Sequence, residues 1–286
     1  MPAIRYLITG AAGMLGQDVQ AALKDRAVTA LSRAELDITD QDAVNAAVSG
    51  HDVIVNCAAY TKVDDAETHE DLAYAINATG AANLARAAAA NGARLVQVST
   101  DYVFDGTATT PYPEDAQRRP VSAYGRTKAA GEQLTAELNP GRTLIVRAAW
   151  LYGAHGPNFA RTMLRLAAER DELTVVDDQI GQPTWTLDLA HQIAALVDAA
   201  APAGVYHATN SGRASWFDFA QAVFREAGLD PARVKPTDSS QFVRPAPRPA
   251  FSVLGHGAWS KIGLKPLRPW REALADAAAQ GVLEHK

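Results

Sequence analysis

A single cysteine, Cys57, stands in the 286 residues, so no disulfide can form within the chain. That suits a reducing compartment. Cys57 has no evident base beside it, and a small packed residue is its simpler reading. No apolar run reaches the roughly 18 residues that a membrane helix needs, which argues against a membrane partner. No block of lysine or arginine occurs and the formal charge is −5, which argues against nucleic acid as the main partner. A small anion held by local dipoles stays open. The first residues, "MPAIRYLITGAAG", enter a strand at once, without the apolar core and small-residue cleavage site of a signal peptide. The expected location is the cytoplasm. The seven histidines (51, 69, 155, 191, 207, 256 and 285) are scattered, with no pair or triple at metal-ligand spacing, so no metal is expected.

What is present is an ordinary globular balance, 48% hydrophobic and 21% charged, with length enough for a sizeable core. Short apolar runs alternate with helical stretches through the first half. Strands are expected at 5–10, 27–31, 52–58, 94–100 and 143–150, and helices at 13–25, 40–50, 70–92 and over "SAYGRTKAAGEQL", 122–134. The helix at 40–50 starts on an Asp cap and ends at Gly. The strands are continuous apolar runs, not alternating ones, so both faces should be covered. The fold class is therefore α/β, a doubly wound parallel sheet with a smaller C-terminal α/β substrate domain. Residues 1–148 plus 174–200 form the expected dinucleotide-binding domain, and 149–173 plus 201–286 the substrate domain. "RPAPRPAF" (244–251) is too rich in proline for regular structure.

"ITGAAGMLGQ" sets Gly10, Gly13 and Gly16 between the first strand and its helix. Gly10 permits the tight turn, Gly13 the approach of a pyrophosphate, and Gly16 close packing of helix on strand. The helix N-terminus supplies N–H groups and the positive end of its dipole. The second strand ends at Ser32-Arg33, where an arginine suits the 2′-phosphate of NADPH and a carboxylate would suit NADH. NADPH is favoured, with NADH as the alternative. Asp37-Ile38 either flank the adenine, or Asp37 caps the next helix together with Asp40. Small residues after the third strand, Cys57, Ala58 and Ala59, allow a cofactor to come close.

Ligands of a doubly wound sheet sit outside the carboxyl ends of its strands. Ser99, Thr100, Asp101 and Tyr102 should line the site there. The next helix carries Tyr124 and Lys128 on one face, four residues apart. Reducing a ketone needs a hydride on carbon and a proton on oxygen. A free tyrosine titrates at about 10, and a neighbouring ammonium would bring it towards working pH. Lys128 could also hold a ribose hydroxyl, and Thr100 could hydrogen-bond the developing oxyanion.

These residues carry a resemblance. "TGAAGMLG" (9–16), "ST" (99–100) and "YGRTK" (124–128) are similar to the extended short-chain dehydrogenase/reductase superfamily. "STDYVFDG" (99–106), "YGRTKAAGE" (124–132), "RAAWLYG" (147–153), "NFARTML" (158–164) and "DDQIGQPT" (177–184) resemble, within it, the dTDP-4-dehydrorhamnose reductase family. The resemblance implies an NAD(P)H-dependent reduction of the C4 keto group of a dTDP-4-keto-6-deoxy sugar. It implies Thr100, Tyr124 and Lys128 as the catalytic triad, and Gly10, Gly13, Met14 and Leu15 as the diphosphate loop. Asp37 and Ile38 then fall on the adenine side, with Ala58, Ala59 and Thr61 as the third-strand contact. Tyr102, Trp150 and Asn158 fall around the sugar and nucleotide, although Trp150 could equally be core packing. The family's tail reads close to R-P-x-N-S-x-L; Arg248 and Ser252 match it and Phe251 departs. Some members bind Mg²⁺ at a dimer contact. Asp18 stands at one such position but Leu187 stands where a carboxylate is needed, so neither metal nor homodimer follows. The alternatives are a reductase of a related nucleotide keto-sugar and a non-catalytic NADP-binding regulatory subunit.

Overall fold

The structure, a computed structural model, describes residues 3–284; His285 lies outside the described residues. Five parallel strands arise where the apolar runs predicted them: β1 (Arg5–Thr9), β2 (Ala27–Leu31), β3 (Val53–Asn56), β4 (Arg94–Thr100) and β5 (Thr143–Ala148). Every residue of β3 and β5 is buried, as a sheet covered on both faces requires. Three two-residue strands and one of four follow, β6 (Leu151–Tyr152), β7 (Leu173–Val176), β8 (Ile180–Gly181) and β9 (Thr184–Trp185), and then β10 (Gly204–His207). The main sheet has the order β10-β5-β4-β3-β1-β2, with every pairing parallel. Strand order reverses between β1 and β3, and a crevice opens outside their carboxyl ends.

One face of the sheet is covered by α1 (Met14–Ala22), whose Leu15 and Val19 pack with Leu189 and Ile193 of a later helix. The other face carries α2 (Gln41–Val48), capped by Asp40 through Asp42 N and Ala43 N. Beside it lies a long helical run read as one helix over 70–92. It is α3 (Glu70–Tyr74), a π-turn over Ala75–Gly80, and α4 (Ala81–Ala90). The π-turn frees Asn77 to donate to Tyr60 O (3.1 Å) and to Thr127 Oγ1 (3.1 Å), and to accept from Tyr60 N (2.8 Å). Thr127 belongs to α5 (Ala123–Leu138), where Ser122 is the N-cap and accepts from Gly125 N.

A second core gathers α6 (Phe159–Glu169), β7 and later helices around Met163, Leu173, Phe219, Phe224 and Leu274. The helix after β9, α7 (Thr186–Asp198), returns to the main sheet as expected. Beyond it come β11 (Ala214–Ser215), α8 (Trp216–Glu226), β12 (Val234–Thr237), α9 (Gly257–Lys261) and α10 (Trp270–Ala279). Three stretches differ from the sequence reading; one is 257–264, assigned to the smaller lobe, whose Trp259 fills the first core. Residues 174–185, assigned to the cofactor side, lie in the smaller lobe, because β7 pairs with β12 and Val175 and Trp185 fill the second core. Residues 204–207, assigned to the smaller lobe, are the edge strand of the main sheet, since β10 pairs with β5 and Tyr206 joins the first core. A chain that crosses between lobes several times leaves little compositional trace at its crossings.

Candidate active site

The crevice beside β1 and β3 is a cavity of about 610 Å³ lined by Gly10, Gly13, Arg33, Asp37, Ile38, Ala58, Ala59, Thr61 and others. Gly10 has a φ of +67°, and a Cβ there would stand 2.6 Å from Ala58 N. A buried chain of side chains crosses the three neighbouring strands: Thr9 Oγ1 donates to Asn56 Oδ1 (2.7 Å), and Asn56 Nδ2 donates to Gln97 Oε1 (2.8 Å). No side chain caps the N-terminus of α1, so its first N–H groups are unpaired by a cap, and its N-cap Gly13 lines the crevice. An NADP-type dinucleotide fits these features. Met14 and Leu15 do not line the cavity. Leu15 packs into the sheet core, leaving only its backbone for a ligand, and the Met14 sulfur lies 3.9 Å from Asn158 Nδ2. Asp37 does not cap α2. Its carboxylate accepts from Thr39 N and Thr39 Oγ1 (2.9 and 2.7 Å), which holds it below the usual range.

Next to this crevice, Thr100, Tyr124 and Lys128 converge, all buried. Thr100 ends β4 and caps a single 3₁₀ turn at Asp101–Val103; its hydroxyl accepts from Tyr102 N (3.2 Å) and donates to Asp101 Oδ1 (3.0 Å). The Tyr124 phenol is pushed up by burial; a hydrogen bond with Thr100 opposes this and the charge of Asp101 adds to it. The expectation that Lys128 lowers this phenol is not met, because the lysine turns to the strand. Lys128 Nζ donates to Val98 O at 2.7 Å, and burial brings its pKa down to about 8, opposed by Glu132 and Cys57. Burial also holds the Cys57 thiol up at about 12, which keeps it protonated and inert. Asp101 is 2% exposed and is pushed up to about 6 by burial, against hydrogen bonds from Ser252 and Thr100. Its Oδ2 has no partner.

Tyr102 packs edge-on to Tyr124, with ring centroids 5.6 Å apart, and opens into a second cavity of about 500 Å³. That cavity is walled by Phe159, Trp216 and Phe242 and bears Arg170, Arg244 and Arg248. Arg248 lies over the Tyr102 ring at 5.9 Å and pairs with Asp64 at 2.9 Å. Trp150 adopts a left-handed φ of +48° and stacks on Trp216 at 3.5 Å. A Cβ on Gly181 would sit 2.5 Å from the Trp150 ring, so the indole is held on both faces. Asn158 is drawn away from this cavity, as the N-cap of α6, accepting from Arg161 N and donating to Gly153 O. It lines a separate cavity of about 250 Å³. Asp18 is engaged by the Thr186 hydroxyl, with His155 at 3.9 Å, and these side chains do not make a metal-ligand set.

Residues 4–282 match the family described as "RmlD substrate binding domain". The chain belongs to the RmlD substrate-binding domain family. It is 53% identical to a dTDP-4-dehydrorhamnose reductase of Streptomyces griseus, over 96% of this chain and 93% of that protein. It is 51% identical to a dTDP-4-keto-6-deoxy-D-glucose reductase of Streptomyces niveus, over 96% of each. Among solved structures, a Bacillus anthracis dTDP-4-dehydrorhamnose reductase in complex with NADP superimposes with a TM-score of 0.94 at 41% identity, covering 97% of this chain and 99% of that one.

Against the RmlD family's tail, Phe251 sits where the backbone does the work. Phe251 N donates to Gly106 O (3.2 Å), and Ser252 N to Ile180 O (2.8 Å), so the segment keeps its path whatever the side chain. The aromatic wall from Phe159 and Trp216 was not read from the sequence. Its signal was there: "WFDF" opens α8 with three aromatics, more than one core-facing stripe uses.

Proposed function

We propose that this chain is an NADPH-dependent reductase of the C4 keto group of dTDP-4-dehydro-β-L-rhamnose, giving dTDP-β-L-rhamnose. The observation that carries the reading is the burial of Thr100, Tyr124 and Lys128 together, between a dinucleotide-sized crevice and a cavity with aromatic walls and arginines. The names of its family relatives supply the substrate. The sheet lobe is the cofactor half and the smaller lobe the sugar half. Aromatic faces and guanidinium groups suit a pyrimidine base and a diphosphate.

NADPH, when bound, supplies the hydride. Gly10 and Gly13 let its diphosphate reach the first turn of α1, and Arg33, exposed at the crevice edge, is placed for a 2′-phosphate. Tyr124 gives its proton to the sugar oxygen. A phenol kept protonated by burial is a proton donor over the whole working range, and Thr100 steadies the oxygen as charge develops. Lys128, seated against Val98 O, orients the cofactor ribose. Arg248 and Tyr102 bound the sugar side. The reaction draws on cytoplasmic cofactor, and a homodimer is compatible with it.

A sibling keto-sugar reductase is the second reading, favoured by the 51% identity to the Streptomyces niveus enzyme. A regulatory subunit would have no use for the buried triad. Consumption of NADPH and of NADH is followed with dTDP-4-dehydro-β-L-rhamnose made in situ. Rapid oxidation with dTDP-rhamnose as product is expected. The Tyr124→Phe variant should bind NADPH normally and turn over roughly 10²–10⁴-fold more slowly. Unchanged turnover in that variant removes Tyr124 from the proton transfer.

A further inference from the structure

The Thr100 hydroxyl has one proton, and two neighbours lay claim to it. A threonine hydroxyl donates once and accepts twice. Here it accepts from Tyr102 N at 3.2 Å and lies 3.0 Å from Asp101 Oδ1. An ionised carboxylate only accepts, so an ionised Asp101 takes the Thr100 proton. Thr100 then has nothing to donate to a sugar oxygen, and its remaining lone pair draws the Tyr124 phenol, with which it hydrogen-bonds. A neutral Asp101 reverses the order. Its O–H donates to Thr100, Asp101 and Tyr102 N fill both lone pairs, and the Thr100 proton is free to point at the substrate. The surroundings of Asp101 favour this neutral form. The side chain is 2% exposed and its Oδ2 is buried without a partner. Arg248, the cation over the Tyr102 ring, is paired with Asp64 instead. A buried carboxylate with one bare oxygen and no paired cation is costly, and a proton removes the cost.

We propose that Asp101 is a positioning residue that works as a neutral acid, donating to Thr100 so that Thr100 in turn donates to the sugar oxygen that Tyr124 protonates. This role rests on the reductase reading, in which Thr100 meets that oxygen. The proton that leaves is the one on Tyr124; Asp101 and Thr100 keep theirs and set the direction of one hydrogen bond. The groups that face Asp101 are Thr100 and Tyr102 on its own turn, Tyr124 from α5 and Ser252 from the returning tail. Burial holds both phenols up, so none of the four is charged in the working range. Arg248 and Asp64 pair with each other beyond Tyr102. Burial pushes Asp101 up to about 6, so the hydrogen bond runs towards the substrate below that value and away from it above.

The test is kcat/KM for the keto-sugar at saturating NADPH, read by the shape of each profile from about pH 5 to about pH 8, since kcat/KM reports the enzyme before the sugar binds. In the native protein it should fall as pH rises through about 6, by roughly tenfold per unit. Asp101→Asn puts a permanent N–H donor beside Thr100 and should show no fall there. A fall that stays in place in Asp101→Asn belongs to another group and overturns the proposal, as does a native profile without one. Should Asp101→Asn be inactive at every pH, Thr100→Val decides. With no hydroxyl to turn, its residual activity should lose the fall, and persistence of the fall overturns the proposal. Infrared difference spectra, native minus Asp101→Asn, read the acid itself without turnover. The carbonyl stretch of a protonated carboxyl should be present at about pH 5 and lost by about pH 8. Its absence at the lower pH overturns the proposal. The band present with no NADPH oxidation by the native protein would be a different failure, that of the reductase reading.

Discussion

Asp101 shows how one buried side chain couples the site to stability. Its carboxyl is pushed up to about 6, so the folded protein binds a proton there that the unfolded chain gives up near its ordinary value of 3.8. Between these values the native state holds more protons than the unfolded state, and stability falls as pH rises. The benefit of the neutral form is complete below about pH 4 and is lost as pH passes through about 6. The shift corresponds to roughly 2–3 kcal/mol. Asp101→Asn should therefore melt higher than the native chain at about pH 8 and no higher at about pH 3, by calorimetry at the two values. Equal differences at both would show that the acid carries no such penalty. The orphaned Oδ2 points the same way, since an unpartnered oxygen is tolerated more cheaply as a neutral hydroxyl. Sequence placed Asp101 at the site, from the rule that strand ends face the ligand, but nothing in it gives the burial that decides the ionisation.

At the scale of elements, the meeting of α5 with the π-turn fixes where the triad stands. Gly131 faces this turn, and a Cβ there would sit 2.1 Å from Asn77 O. Gly131→Ala gains about 1 kcal/mol in helix propensity. The clash with a backbone carbonyl outweighs it, because neither α5 nor the π-turn can give way without breaking the Asn77 bonds to Tyr60 and Thr127. The variant should melt several degrees lower and lose turnover, since Tyr124 and Lys128 ride on the displaced helix; a higher melting temperature would show the propensity term winning. The α5 helix was legible, with its tyrosine–lysine spacing. So were the sheet strands, as continuous apolar runs, and the glycine turn. The π-turn was not: "AINATG" has the composition of ordinary helix, and only the partner surface of α5 demands the extra residue. The short strands β6, β8 and β9 were hidden for a related reason. Two residues have no period to read, and each forms because a distant segment passes alongside, as Phe251 does at Ile180.

For the whole molecule, the question is what brings the two lobes together over the site. The segment 244–248 belongs to the smaller lobe's chain, yet it is fastened to the sheet lobe by one carboxylate. Asp64, in the loop after β3, pairs with Arg248 (2.9 Å) and Arg244 (3.7 Å) and accepts from Ala246 N (3.3 Å). Both arginines line the cavity beside Tyr102. Asp64→Asn keeps an acceptor for the amide and removes the charge. Because the pairs are partly exposed, the cost to stability should stay within about 1 kcal/mol. The cost to function should fall on binding. Arginines no longer aimed by Asp64 must be ordered by the nucleotide sugar itself, so KM for the sugar should rise about tenfold while kcat changes little, the pattern of lost uniform binding. KM for NADPH, whose crevice lies on the other side of the triad, should hold. The opposite sign is equally informative. If Asp64 competes with the substrate's diphosphate for the two guanidinium groups, the same variant binds sugar more tightly, and the carboxylate is then a latch that the substrate displaces.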